Sequence, residues 1–168
     1  MSRLSLKKYL TSTKQTVILN DGDYMKKRDE RIFSIARLIS HTSTYGRIRI
    51  GAVLLAGNKI ISVGVNSRKS HPIQKRMNEF RIKENNQTPV EWEHCTHSIH
   101  AEMEAILHAP YELLNSNKTL SLYIYRESKD GTLRNCRPCP ACMAMIKKYN
   151  IRNIYYTTND GYAFEDIS

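Results

Sequence analysis

The side chains with the clearest chemistry lie in two short stretches, one reading HAE and the other PCPAC. Together they offer an imidazole, a carboxylate and two thiols. Zinc takes nitrogen and sulfur ligands, and a catalytic zinc site leaves its fourth position to water. His100, Cys139 and Cys142 would supply three ligands, and Glu102 would remain available to move protons. The pattern therefore predicts Zn²⁺ as cofactor and one zinc-activated water.

Both stretches lie where helices are expected to begin, over about 99–109 and 140–149. Unpaired backbone N–H groups at a helix N-terminus favour a thiolate and a hydroxide. Cys139 and Cys142 are three residues apart and so share one face of a helical turn. Glu102 comes two residues after His100 and so would not point in the same direction. It would reach the metal-bound water rather than the metal.

This arrangement of groups indicates a particular reaction. Zinc would lower the pKa of its water toward about 7, which gives hydroxide near neutral pH. Glu102 would take the proton and return it first to a ring nitrogen and then to a leaving ammonia. The chemistry is the addition of water to a C=N carbon and the expulsion of an amine.

The elements that must position these groups form an α/β pattern. Two apolar runs around a tight glycine turn, at 48–55 and 59–65, indicate an antiparallel hairpin. Further strands are predicted at 119–126 and 151–157, and the strand–helix–strand unit that they form should be a parallel crossover. We expect a three-layer fold with a mixed sheet of four to five strands flanked by helices.

The 168 residues fit one domain, at 23–168, preceded by a flexible basic arm at 1–22 that could pair a short strand at 16–19. An irregular, polar insertion at 67–98 precedes the HAE stretch, with a helical turn or two within 73–84. A segment of this kind is usually functional or mobile.

The formal net charge of +10 suits a phosphorylated small molecule or a polyanion, or serves solubility alone. No apolar run approaches the roughly 20 residues that cross a bilayer, and no secretory signal is evident. We therefore expect a cytoplasmic protein without a membrane partner, in a reducing compartment where clustered cysteines bind metal rather than pair.

Either stretch alone is a weak signal, but H-x-E followed by P-C-x-x-C is the signature of the zinc deaminases. Over roughly residues 25–158 the chain resembles the cytidine/deoxycytidylate deaminase superfamily, which implies the cytidine deaminase-like fold. The resemblance implies that the imidazole and two thiols bind zinc and that the glutamate is the proton shuttle. It also implies that Asn66, after the second strand, contacts the sugar, and that backbone groups at Ala101 and Cys139 contact the base.

Within this superfamily the long insertion resembles the deoxycytidylate deaminases. The sequence thus predicts hydrolysis of dCMP to dUMP and ammonia, with Arg68, Lys69 and His71 on the phosphate side. These three residues could equally form a polar loop leaving the sheet. Two features depart from the family: Glu104 stands where many relatives have Asn, and a final helix and strand are missing or vestigial. A homo-oligomer is expected by resemblance only.

Other interpretations stay open. The basic charge also suits a nucleic-acid deaminase that acts on tRNA adenosine or single-stranded cytosine. A protein of another class, a non-catalytic zinc-binding interaction module, would not need the carboxylate. A second zinc could use His94, Cys95 and His97, although a fourth ligand is not evident. Cys136 is interpreted as a spectator rather than a ligand.

Overall fold

The computed structural model describes residues 16–19, 25–46, 48–84 and 97–167. Most of the predicted arm at 1–22 therefore lies outside the described residues, as do His94 and Cys95 of the hypothetical second zinc site. In the described part of the chain, no helix is both long and apolar enough to span a bilayer.

Five helices and six strands make up the described chain. The helices are α1 (Lys27–Ser40), α2 (Pro72–Glu84), α3 (Ala101–His108), α4 (Tyr111–Leu114) and α5 (Pro140–Lys148). The strands are β1 (Thr16–Leu19), β2 (Arg49–Ala56), β3 (Lys59–Val65), β4 (Leu120–Glu127), β5 (Ile151–Thr158) and β6 (Gly161–Asp166).

The strands form one mixed sheet in the order β1-β6-β5-β4-β2-β3. The β2–β3 pair is the predicted antiparallel hairpin, and β4 and β5 pair in parallel as expected for the crossover through α5. The remaining pairs, β2–β4, β5–β6 and β1–β6, are antiparallel. The expected mixed sheet with flanking helices is therefore confirmed, and it has six strands rather than four to five.

The additional strand is β6, which the sequence analysis expected to be missing or vestigial. It returns antiparallel along β5 through a tight turn at Asn159 and Asp160, so its backbone N–H and C=O groups are paired with a neighbour on each side. The short β1 predicted at 16–19 pairs on its outer side. The expectation of a missing final strand was wrong.

The insertion also contains more regular structure than predicted. In place of one or two helical turns, α2 is a 13-residue helix from Pro72 to Glu84. It packs against α5, which carries the two thiols of the PCPAC stretch. Its low apolar content concealed it in the sequence, because the helix buries amide groups as well as apolar side chains.

Two apolar layers enclose the sheet. On one face α1 covers a cluster built around Phe33, Val53 and Tyr123. On the other face α3 and α5 cover the larger cluster, which includes Met103 and Met145. The alternation of side chains along β2 and β4 divides them between the two layers. The three-layer arrangement places both helices of the chemical stretches on the same face.

Two glycines of the hairpin allow helices to approach the sheet on opposite faces. A Cβ at Gly51 would lie 2.1 Å from the backbone oxygen of Ala36 in α1. A Cβ at Gly64 would lie 2.2 Å from the backbone oxygen of Ala101 in α3. Because no side chain fits at these distances, glycine at these two positions sets the depth at which α1 and α3 pack.

Candidate metal centre

Helices α3 and α5 both begin on a candidate metal ligand. His100 is the N-cap residue of α3 rather than a residue of its first turn, and Cys139 is the N-cap residue of α5. Neither side chain caps its own helix, although N-cap side chains commonly accept a first-turn N–H. Both side chains instead face one another across the gap between the helices.

The distances between these side chains fit a tetrahedral zinc site. His100 Nδ1 lies 3.5 Å from Cys139 Sγ and 3.3 Å from Cys142 Sγ, and the three ligand atoms all lie within 4.8 Å of one another. Zinc bonds of about 2.0 Å to nitrogen and 2.3 Å to sulfur would separate a nitrogen and a sulfur by about 3.5 Å. The residues present therefore fit the ion that the sequence predicts.

The two thiols differ in their electrostatics. A hydrogen bond with Cys142 lowers the pKa of the Cys139 thiol, and the imidazole of His100 lowers it further against the effect of burial. The same contact with Cys139, together with burial, raises the pKa of Cys142. A sulfur pair that shares one proton in this way can release that proton to solvent when a metal cation binds.

Glu102 is buried beside this group, with 5% of its surface exposed. Among the described residues, its Oε2 is the one fully buried side-chain oxygen or nitrogen that has no hydrogen-bond partner. Burial raises the pKa of this carboxyl group, and the nearby His100 imidazole opposes the rise. An unpaired buried acceptor is costly, so its place beside three ligand atoms indicates that a proton-bearing group belongs there.

Cys136 is turned away from the candidate ligands. Its Sγ lies 3.3 Å from the backbone oxygen of Ile124 and 3.0 Å from Thr157 Oγ1. Burial raises the pKa of this thiol to about 12. Its position in the core agrees with its interpretation as a spectator.

Asn66 is buried at the end of β3, and its amide group bonds to the chain that enters β2. Its Oδ1 accepts hydrogen bonds from the backbone N–H of Ile50 at 2.8 Å and from the hydroxyl of Ser43 at 2.7 Å. Its Nδ2 donates to the backbone oxygen of Ile48 at 2.7 Å. The described contacts of Asn66 thus order this edge of the sheet, and its predicted contact with a sugar remains a prediction.

Glu104, which stands where many relatives have Asn, joins two elements of the fold. Its Oε2 accepts a hydrogen bond of 2.5 Å from the backbone N–H of Val65, the residue before Asn66. The bond joins the first turn of α3 to the end of β3. Ala101 is the first residue of α3, directly after His100, and it is fully buried with its backbone oxygen close to Gly64.

The predicted phosphate-side residues lie on a short ladder that leads into His100. The backbone N–H of Ser67 donates to Ile99, and that of Ile99 donates to Lys69. Residue 70 forms a bridge with residue 98, and the N–H of His71 donates to the backbone oxygen at 97. The side chains of Arg68 and Lys69 are exposed. The ladder holds the backbone of Lys69 beside Ile99, next to the candidate ligand His100.

The contacts that fix the chain before the thiols have no local signature in the sequence. Arg137 donates from Nε to Glu165 Oε1 at 2.7 Å and from a terminal nitrogen to Oε2 at 2.9 Å. Tyr156 also donates to Glu165, which is almost fully buried on β6. This buried glutamate, on the strand that the sequence analysis missed, holds the segment that leads to Cys139 against the sheet.

Two more residues were missed because their type suggests a solvated surface. Gln74 and Asn78 are buried on one face of α2, where they contact the segment at 97–100. Their spacing of four residues was the available signal, but the charged residues around them concealed it. Among the described residues, the candidate ligands above form the one group of His, Cys, Asp or Glu that could hold a metal.

Comparison with known families gives one match over most of the chain. Residues 26–158 match the family model described as the cytidine and deoxycytidylate deaminase zinc-binding region. The match spans the hairpin, the HAE stretch and the PCPAC stretch. No curated protein sequence matches the chain.

Similar solved structures include a dCMP deaminase from the cyanophage S-TIM5, at 20% identity and a TM-score of 0.48, covering 79% of this chain and 84% of that one. A cytidine deaminase from Burkholderia pseudomallei has 13% identity and a TM-score of 0.49, with coverage of 84% and 93%. A cytidine deaminase from Mycobacterium tuberculosis has 13% identity and a TM-score of 0.44, with coverage of 78% and 89%.

Proposed function

The chain belongs to the cytidine and deoxycytidylate deaminase zinc-binding family, and from this premise we propose that it hydrolytically deaminates a cytosine base. Water adds to the carbon that carries the exocyclic amine, the carbon–nitrogen bond breaks, and ammonia leaves. The base becomes uracil. We propose dCMP as the substrate and dUMP as the product.

One observation carries the proposal: an unpartnered buried carboxylate oxygen lies beside three side chains that fit a tetrahedral ion. A zinc ion held by His100, Cys139 and Cys142 would supply a Lewis acid that lowers the pKa of water. Glu102 would accept one proton from the attacking water and deliver it to the ring nitrogen, and would then take the remaining hydroxyl proton of the adduct and deliver it to the departing amine. Its raised pKa suits a group that must both accept and release a proton near neutral pH.

The proposed substrate contacts come from separate elements of the fold. Asn66 at the end of β3 would contact the sugar, and the backbone of Ala101 would contact the base. Arg68, Lys69 and His71 would contact the phosphate. Their ladder with the segment before His100 supports this assignment, because it keeps two cations near the metal ligand. The net charge of +10 favours an anionic substrate.

Ammonia release from three substrates tests the proposed reaction: dCMP, cytidine and a cytosine-containing oligonucleotide. We expect turnover of dCMP, a lower kcat/KM for cytidine, and none with Glu102→Ala. Activity on the oligonucleotide alone would overturn the nucleotide proposal in favour of a nucleic-acid deaminase. If the protein bound zinc but was active on none of the three substrates and also not on a tRNA adenosine, it would be a non-catalytic module.

The phosphate assignment has its own test. The double variant Arg68→Ala/Lys69→Ala should raise the KM for dCMP about 10-fold or more, because charge-assisted hydrogen bonds are lost. The KM for cytidine should not change. Lys118→Ala removes a similar exposed charge beside the turn between β2 and β3, at the opposite end of β3 from Arg68 and Lys69, and should change neither value. Equal effects on nucleotide and nucleoside would contradict the assignment.

A further inference from the structure

Helix α2 presents two fully buried amide side chains toward the start of α3. Gln74 and Asn78 have 0% and 1% of their surface exposed, and their spacing of four residues places them on one face of the helix. A buried amide costs free energy unless its polar atoms are hydrogen-bonded. Both amides have partners, and those partners lie in the segment that ends at His100.

These hydrogen bonds all run in one direction, from the His100 N–H through Gln74 and Asn78 to His97. The backbone N–H of His100 donates to Gln74 Oε1 at 3.2 Å, and Gln74 Nε2 donates to Asn78 Oδ1 at 2.9 Å. Asn78 Nδ2 lies 3.1 Å from His97 Nδ1. Each amide accepts at its oxygen and donates from its nitrogen, so the orientation of Asn78 fixes that of Gln74. The oxygen of Gln74 therefore faces His100.

The chain of bonds begins at His100, and the backbone position of His100 determines where its imidazole can meet the metal. His100 cannot cap α3 with its side chain while its Nδ1 faces two sulfurs. Its backbone oxygen accepts the first bond of α3, from the N–H of Glu104 at 2.9 Å. Gln74 holds the N–H side of the same residue. With both sides of its backbone bonded, His100 has only its two side-chain torsions left to direct the imidazole.

We propose that Gln74 is a positioning residue for the metal ligand His100, and that Asn78 holds the Gln74 amide in the orientation that accepts the His100 N–H. Gln74 acts through the backbone of His100 and touches neither the metal nor the substrate. This inference rests on the metal site of the proposed function and not on the identity of the substrate. It also gives the start of the long insertion a role in building the site.

Zinc affinity, measured by competition with a chromophoric chelator, is the primary test. Gln74→Met keeps the length of the side chain but removes both bonds, and it should weaken zinc binding 10- to 100-fold, as loss of an outer partner of a ligand does elsewhere. Gln74→Glu keeps an acceptor for the His100 N–H but loses the donor to Asn78, so its zinc affinity should fall by a smaller factor than that of Gln74→Met. Cobalt(II) substitution should show a changed visible spectrum for Gln74→Met and a smaller change for Gln74→Glu.

Ser62→Ala is the matched control. It removes a hydrogen bond of 2.6 Å from the Ser62 hydroxyl to the backbone oxygen of Ala105, in the same helix but away from the ligand. Ser62→Ala should bind zinc like wild type. Native zinc affinity in folded Gln74→Met, or an equal loss in Ser62→Ala, would overturn the proposal.

A second variant keeps the test decisive if Gln74→Met does not fold. Asn78→Leu removes the partner that orients the Gln74 amide, and it should weaken zinc binding in the same direction by a smaller factor. Unchanged affinity in that variant would refute the chain of bonds. None of these measurements requires turnover. A failed deaminase assay would therefore contradict the proposed function, while the zinc affinities would still decide whether Gln74 positions His100.

Discussion

Cys136 and Cys139 lie three residues apart, yet the structure gives them opposite properties. Cys136 is buried with its sulfur beside the backbone oxygen of Ile124 and the hydroxyl of Thr157, and burial raises its pKa to about 12. Cys139 begins a helix beside His100 and Cys142, and its pKa is lowered. Both are thiols in the same short segment, so residue type alone does not make a metal ligand.

The difference follows from the acceptors and donors that surround each sulfur. A thiol among backbone oxygens keeps its proton, because a thiolate there would face lone pairs in a medium of low dielectric. A thiol at a helix N-terminus beside an imidazole loses its proton readily. Pro138, buried between the two cysteines, separates the strand-like segment of Cys136 from the helix of Cys139. The local backbone thus decides which cysteine can bind the ion.

The largest effect should come from removing each of the two thiols in turn. Cys139→Ala removes a candidate ligand from the group, so we expect loss of stoichiometric zinc and a fall in kcat/KM of roughly 1000-fold or more. Cys136→Ala should retain zinc and near-native kcat/KM. Zinc content by atomic absorption and ammonia release check both variants, and loss of zinc in Cys136→Ala would show that the two thiols do not differ as described.

Glu102 lies near both environments: burial raises the pKa of Cys136, the contact with Cys139 and burial raise that of Cys142, and the charge of Glu102 adds to both shifts. Glu102→Gln should keep zinc and lower kcat by about 10²- to 10⁴-fold, the range for loss of a general acid–base group. The variant should be at least as stable as wild type, since it replaces a buried carboxylate whose Oε2 lacks a hydrogen-bond partner. Steady-state kinetics together with thermal unfolding tests both expectations, and destabilisation would argue for a structural role of the carboxylate.

Alkylation of the metal-stripped protein compares the thiols directly. At pH 7 iodoacetamide should modify Cys139 well before Cys136, because the thiolate is the reactive form and Cys136 is also buried. We expect a difference in rate of about 100-fold or more, measured by peptide mass spectrometry. Zinc added first should protect Cys139. Faster modification of Cys136 would contradict its assignment to the core.

The smallest effect concerns the dependence of stability on pH. The pKa of Cys136 is raised from 9.0 to about 12, so the folded state keeps a proton that the unfolded state loses as the pH rises. Its contribution is complete below about pH 9 and is lost as the pH rises toward 12. Denaturant unfolding should therefore show a steeper loss of stability in wild type than in Cys136→Ala across this range. Parallel curves would indicate that the sulfur is not desolvated.

The sequence predicted the parts of the molecule that local patterns determine. Alternating and continuous apolar runs predicted the hairpin and the parallel crossover. The HAE and PCPAC spacing predicted which side chains would meet, because helix starts are local features. Their roles as ligands and proton shuttle remain predictions that the variants above test.

The parts that the sequence did not predict depend on distant partners. A charged residue such as Glu165 near the end of the sequence suggests a solvated tail. Arg137 pairs with its charge and Tyr156 donates a hydrogen bond to it, so the side chain is buried on β6. Gln74 and Asn78 suggest an exposed face of α2, but His97 and His100 satisfy their amides. In each case a polar residue is buried because a group far along the chain bonds to it, and no local pattern contains that information.

The close approach of α3 to Gly64 also has a consequence for sequence variation. Any β-carbon at that position would meet the backbone oxygen of Ala101 at 2.2 Å and the backbone nitrogen of Ala105 at 2.4 Å. Backbone atoms cannot rotate away as a side chain can, so the helix itself would have to move, and His100 would move with it. In a library of all single substitutions, position 64 should tolerate glycine alone, although it contributes no atom to the chemistry.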